Sequence, residues 1–128
     1  MRLLLDTHTL LWYAMGDQRI GSEAKALIDD LDNEAYVSIA ALWEIAIKYS
    51  IGKLELPQPF EPYIAWLLEQ IQVEVLSISL QDINVVSTLQ LYHRDPFDRI
   101  MVAQAHNQEL LFLSRDSKID QYDVQVIW

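Results

Sequence analysis

A chain of 128 residues has room for one compact domain, and 52% hydrophobic against 22% charged residues, with three Gly and four Pro, exclude a disordered tail, a collagen-like repeat and a low-complexity linker. There is no cysteine, which excludes a disulfide scaffold, a zinc finger and a thiol nucleophile. A formal net charge of −10 argues against coating nucleic acid by bulk attraction, and it does not exclude a nuclease whose acids hold metal ions, though most of the surplus acids serve solubility.

The first apolar run, Leu3-Leu4-Leu5, reads as a strand and ends at once on Asp6. Three apolar residues are too few for a signal-peptide core, and no stretch approaches the roughly 18 of a membrane span, so the expected location is the cytoplasm. A helix starts near Thr7, and Ser22 is placed to cap a second helical run. Ala35-Tyr36-Val37-Ser38 is the next strand. Ser38 then caps a helix whose stripe of Ile39, Leu42, Trp43, Ala46 and Ile47 is apolar, and Gly52 ends it. Pro62 fits the first turn of a helix running to about Ile71. The strand Val73-Glu74-Val75-Leu76 follows, and Ser79 caps a helix through about Leu89. Asp95-Pro96 reads as N-cap and first turn of a helix to about Asn107, before the strands Leu110–Leu113 and Val124–Ile127. The order is roughly β-α-β-α-α-β-α-α-β, then a loop and a last short strand. Short apolar strands alternating with helices predict an α/β fold with a parallel sheet covered on both faces, in a single domain over 1–128.

Ligands of open parallel sheets bind outside the carboxyl ends of the strands. The polar residues there are Asp6, Glu44 on the helix opened by Ser38, Asp98 beside Asp95, and Asp116 after the fourth strand. Each has an ordinary alternative. Asp6 could simply cap its helix, Glu44 could pair with Lys48 one turn on, Asp98 suits a helix start, and Asp116 suits a turn. Convergence of all four is harder to explain that way, because packed carboxylates repel unless a cation neutralises them. Oxygen donors with open positions fit Mg²⁺ or Mn²⁺, and Arg94, Arg99 and Arg115 flank the acids in sequence, either as phosphate contacts or as surface charges balancing those acids.

These residues carry a resemblance. Leu3-Leu4-Leu5-Asp6-Thr7-His8, then Ser38 through Lys48, then Asp95-Pro96-Phe97-Asp98-Arg99 through Ala105, then Leu113-Ser114-Arg115-Asp116 are similar, in order and spacing, to the PIN-domain family in its small VapC-toxin form. The resemblance implies a PIN-like three-layer α/β/α sandwich with a parallel four- or five-stranded sheet. It implies an Mg²⁺- or Mn²⁺-dependent endoribonuclease that leaves a 5′-phosphate and a 3′-hydroxyl, inhibited by an antitoxin and assembled as a homodimer. Carried across by position, Asp6, Glu44, Asp98 and Asp116 are the metal-holding and catalytic acids. Asp95 is an additional candidate, and Thr7, Arg99, Ser114 and Arg115 are the candidates for substrate contact.

A PIN scaffold that binds RNA or a partner without cutting is the alternative. A phospho-aspartate enzyme would want a second acid two residues after Asp6, where His8 stands. Among the aromatics, Trp43 belongs to the apolar stripe and is expected in the core. Trp12, Tyr13 and Trp66 could be core or face a partner. His8 could contact phosphate, but a satisfied structural role suits it better. His8, His93 and His106 have no mutual metal-ligand spacing.

Overall fold

The computed structural model describes residues 1–128. Its elements are β1 (Arg2–Leu5), α1 (Thr7–Met15), α2 (Ser22–Asp29), β2 (Glu34–Ser38), α3 (Ile39–Ser50), α4 (Phe60–Ile71), β3 (Val73–Leu76), α5 (Leu80–Thr88), α6 (Pro96–Gln108), β4 (Leu111–Leu113), a 3-10 turn (Ile119–Gln121) and β5 (Val126–Ile127). Two helices therefore stand between β1 and β2, where the expected order has one. Gly16 separates them, closing α1 in the left-handed conformation at φ 64°.

All pairings in the sheet are parallel, and the strand order is β3-β2-β1-β4-β5. The first strand is thus the central one. Leu3, Leu4 and Leu5 are all fully buried. Successive strand side chains point to opposite faces, so helices must cover both sides of the sheet, giving the three-layer α/β/α sandwich. The core gathers these leucines with Val37, Ile45, Leu67, Met101, Phe112 and Ile119. From β1 the chain winds outward through β2 and β3, then returns to the other side of β1 as β4. The crevice at that reversal is where such sheets bind ligands.

Local chemistry fixes the helix starts that surround this crevice. Ser38 Oγ accepts the Ala40 amide at 3.0 Å, and Ser79 forms a reciprocal capping box with Asp82. Asp95 caps α6, with Pro96 in its first turn. Ser22 is the first residue of α2 rather than its cap, which is Gly21.

One expectation is overturned. Trp43 is 61% exposed, not core, and Ile39 and Ile47 of the same expected stripe are also exposed. The buried face of α3 holds Ala40, Ala41, Leu42, Glu44 and Ile45 instead. The helix is turned so that its two alanines and its carboxylate face inward. Trp43 lies at the rim, edge-on to Phe97 at 5.2 Å.

Candidate functional site

The crevice beside β1 is a cleft of about 360 Å³, lined by Asp6, Thr7, His8, Trp12, Glu44, Lys48, Asp95, Asp98, Arg115 and Asp116. Every acid singled out in the sequence lies in its wall. They arrive from four separate parts of the chain: the end of β1, α3, the start of α6 and the loop after β4. The β1–β4 junction is tied by the Asp6 amide, which donates to Leu113 O at 3.2 Å.

Each carboxylate is oriented by protein donors. Asp6 is the N-cap of α1; its Oδ1 accepts from the Thr9 amide at 2.8 Å and from Thr9 Oγ1 at 2.6 Å. The capping role and the site role therefore coexist, because capping engages one oxygen and leaves Oδ2 without a protein partner. Glu44 is buried, receives a hydrogen bond from Thr7 Oγ1 at 2.7 Å and pairs with Lys48 Nζ at 2.9 Å. The pairing with Lys48 is made, but it is sequestered rather than a free surface pair. Asp95 spends Oδ1 on the amides of Phe97 and Asp98. Asp116 accepts the Lys118 amide on Oδ1 at 3.0 Å.

His93, which sequence spacing did not connect to the acids, organises two of them. It is buried, and its Nε2 lies 2.6 Å from Asp116 Oδ2 and 3.2 Å from Asp98 Oδ2. Its other nitrogen, Nδ1, accepts the Asp95 amide at 3.1 Å. An accepting Nδ1 leaves the ring hydrogen on Nε2, so the imidazole donates toward the Asp98–Asp116 pair. The same three side chains converge closely enough to hold an ion. With Nε2 acting as donor, however, the oxygens are the available ligands and His93 spaces them. His93 is itself fixed by its backbone amide, which donates to Tyr122 Oη at 2.9 Å, while that hydroxyl donates to Gln90 O at 2.7 Å.

The electrostatics follow from the crowding. Asp98 is pushed up to about 7 from 3.8, by burial first and then by the Asp95 carboxylate; His93 opposes the rise, and Glu44 and Asp6 add to it. Asp116 moves the other way. Burial raises it, but the Lys118 amide and the His93 ring together hold it below the usual carboxylate range. Beyond burial, three carboxylates act on Asp98 against one imidazole, so the cleft around it carries an excess of negative charge. Hard oxygen donors short of positive charge suit a divalent cation.

The four residues expected to contact substrate separate. Arg115 is exposed on the cleft wall, where it makes no ion pair, and its guanidinium lies 5.5 Å from the Trp12 ring. Thr7 lines the cleft but is buried, and its hydroxyl is spent on Glu44. Ser114 is buried, and its Oγ accepts the Asp116 amide at 3.1 Å, shaping the turn that presents that acid. Arg99 departs from expectation. Its guanidinium turns to the carbonyls of Gln90 and His93 at 3.0 and 3.2 Å, and also reaches the carbonyls of Val86 and Leu89. It braces the loop that carries His93 by donating to carbonyls at and after the end of α5, two of which, Val86 O and Gln90 O, also accept from the Leu89 amide and the Tyr122 hydroxyl. His8, by contrast with its expected structural role, is exposed and has no hydrogen-bond partner.

Comparison with known proteins places this geometry in context. Residues 3–125 match the family model described as PIN domain. A segment of 57 residues is 35% identical to Ribonuclease VapC16 of Mycobacterium tuberculosis; it covers 44% of this chain and 40% of that protein, well under two thirds of its length. Among solved structures, VapBC2 from Rickettsia felis, bound to a DNA fragment from its promoter, superposes with a TM-score of 0.73 at 12% identity, over 99% of this chain and 98% of that one. FitAcB from Neisseria gonorrhoeae gives 0.70 at 20% identity, over 100% and 97%. VapBC-1 from nontypeable Haemophilus influenzae gives 0.69 at 21%, over 99% and 97%. At these identities the structures establish the likeness of fold. No helix of the chain is long and apolar enough to cross a membrane.

Proposed function

The chain belongs to the PIN domain family, and on that premise we propose that it is an endoribonuclease dependent on Mg²⁺ or Mn²⁺ and the toxin of a toxin–antitoxin pair. The observation that carries this reading is the meeting of Asp6, Glu44, Asp95, Asp98 and Asp116 in one cleft, where burial first and then the neighbouring carboxylates push Asp98 up to about 7. The name of the partly aligned relative and the complexes in which the similar structures were solved support the activity and the partner.

Asp6, Glu44, Asp98 and Asp116 are the residues that would hold the ion. The free Oδ2 of Asp6 and the free Oδ1 of Asp98 are the oxygens that the protein's own hydrogen bonds leave open. Asp95 serves chiefly as the helix cap, since its Oδ1 is already engaged by two amides. A divalent ion there supplies charge neutralisation and activation of water at a phosphodiester. The chain's own contribution is preorganisation. Thr9 holds Asp6, Thr7 holds Glu44, and His93 spaces Asp98 from Asp116. Lys48 and Arg115 bring positive charge to the wall, where a phosphate would otherwise meet only carboxylates.

Protein partners are an antitoxin and a second copy of the chain. The apolar ridge of Ile39, Trp43 and Ile47 along α3 is the kind of exposed surface such partners cover.

The test uses the purified chain, freed of partners, on a panel of structured RNAs with Mg²⁺, with Mn²⁺ and with EDTA. An Asp6→Asn variant purified identically controls for contaminating nuclease. Cleavage that needs the metal and disappears in the variant is the expected result. Absence of both cutting and metal binding overturns the reading and leaves a non-cleaving scaffold that binds RNA or a partner.

A further inference from the structure

One wall of the cleft is not acidic. His8 is exposed, and its ring is stacked on Trp12, with centroids 5.3 Å apart and planes inclined by 23°. Trp12 is itself buried and clamped. Arg19 lies 4.9 Å from its ring, Arg115 lies 5.5 Å away, and Trp128 meets it edge-on at 5.7 Å. Neither His8 nitrogen has a hydrogen-bond partner, so the stack alone orients the imidazole. One face of that ring is covered by the indole. His8 is exposed and lines the cleft, two residues from Asp6 and together with Arg115, which makes no ion pair.

We propose that the His8–Trp12 stack is a nucleobase subsite: a base of single-stranded RNA next to the reacting phosphate stacks on the face of His8 opposite Trp12, while Arg115 takes an adjoining phosphate. The proposal rests on the ribonuclease reading of the cleft and adds to it how the strand is gripped. Charge is the physical reason such a grip is needed. A chain with net charge −10 repels an RNA backbone, and the cleft offers only Lys48, already paired to Glu44, and Arg115 as cations. Phosphate contacts therefore supply little of the affinity. Base stacking is insensitive to salt and tolerant of sequence, because every base presents a π-face. A ring held rigid by a second ring loses little freedom when a base joins the stack.

The experiment measures binding of a fluorescent single-stranded RNA of mixed sequence, in an Asp98→Asn background so that binding is read without cutting. His8, His8→Ala and His8→Phe forms are compared across a salt series, alongside an abasic oligonucleotide of equal length. The expected result is about tenfold weaker RNA binding for His8→Ala, recovery to within about threefold for His8→Phe, and no difference among the three on the abasic strand. The slope of affinity against salt stays the same in all three, because it counts phosphate contacts. Unchanged RNA binding in His8→Ala overturns the proposal and leaves the ring to a protein partner. Loss in His8→Phe equal to that in His8→Ala, or a salt slope that falls with either variant, overturns it in favour of a phosphate contact. Should the chain fail to cut RNA yet give the expected binding pattern, the ribonuclease reading fails and the subsite stands. Cutting with no effect of His8 does the reverse.

Discussion

Replacing Asp98 with Asn should make the metal-free protein more stable, even though it removes one of the acids proposed to hold the ion. Burial and the neighbouring Asp95 carboxylate, with smaller contributions from Glu44 and Asp6, lift Asp98 to about 7 against the opposing effect of His93, while its unperturbed value is 3.8. Between those values the folded chain holds a proton that the unfolded chain has released. The contribution of Asp98 to stability is therefore fully present below about pH 4, falls as pH rises through the window, and levels off above about 7. The full height of that fall is about three units at 1.4 kcal/mol each, or about 4 kcal/mol. The side chain is 22% exposed, and the repulsion is shared with neighbouring acids, so a loss of about 2–4 kcal/mol at pH 8 is the expectation. Asn keeps an oxygen for His93 and cannot ionise, so Asp98→Asn removes the penalty. At this chain length that corresponds to a melting temperature roughly 10 °C above wild type at pH 8. The two proteins should melt together near pH 4. The assay is thermal unfolding by circular dichroism from pH 4 to pH 8.5 in EDTA. Curves that stay parallel across that range refute the electrostatic account of the cleft. Added Mg²⁺ should raise the wild-type midpoint at pH 8 more than that of the variant.

His93→Ala removes the donor between Asp98 and Asp116 and should weaken divalent-ion affinity about 10- to 100-fold while leaving the secondary structure intact, as titration calorimetry and circular dichroism together can establish. Tyr122→Phe strips the hydroxyl that joins the His93 amide to Gln90 O, and should cost about 1–3 kcal/mol in denaturant unfolding. Trp43→Ser should cost no more than about 1 kcal/mol, because the indole is mostly exposed and meets Phe97 edge-on, whereas Phe112→Ala, fully buried on β4, should cost about 3–5 kcal/mol by the same assay.

The residues that were readable in the sequence are those whose role is decided within a few positions. Leu3–Leu5 followed by Asp6 marks both a central strand and the acid at its end. Ser38, Ser79 and Asp95 announce helix starts because a side-chain oxygen two or three residues ahead of free amides has an obvious partner. What was not readable depends on partners far along the chain. Periodicity counts apolar residues, so it turned α3 toward its largest ones and put Trp43 inside. The fold instead buries Ala40 and Ala41, because small residues let the helix approach its neighbours while Thr7 and Lys48 compensate Glu44. Arg99 sits beside an acid in sequence, as a phosphate ligand would, yet the carbonyls of Val86, Leu89, Gln90 and His93 claim it. His93 lies in a loop with no periodicity at all, and its partners Asp116 and Tyr122 are 23 and 29 residues away.

The strand order carries a kinetic consequence. β1 is made first but is completed only when β4, from more than a hundred residues later, pairs along its other edge with Leu3 opposite Leu111 and Leu5 opposite Leu113. Contacts this distant form late and slowly. Until that edge closes, Asp6 and Asp116 are hydrated carboxylates on unconnected segments, with no mutual repulsion and no common ion to attract. A folding intermediate that holds β1, β2 and β3 lacks one wall, and local opening that releases β4 separates Asp116 from Asp6. Hydrogen exchange at the Asp6 amide, whose acceptor is Leu113, would report how often that happens.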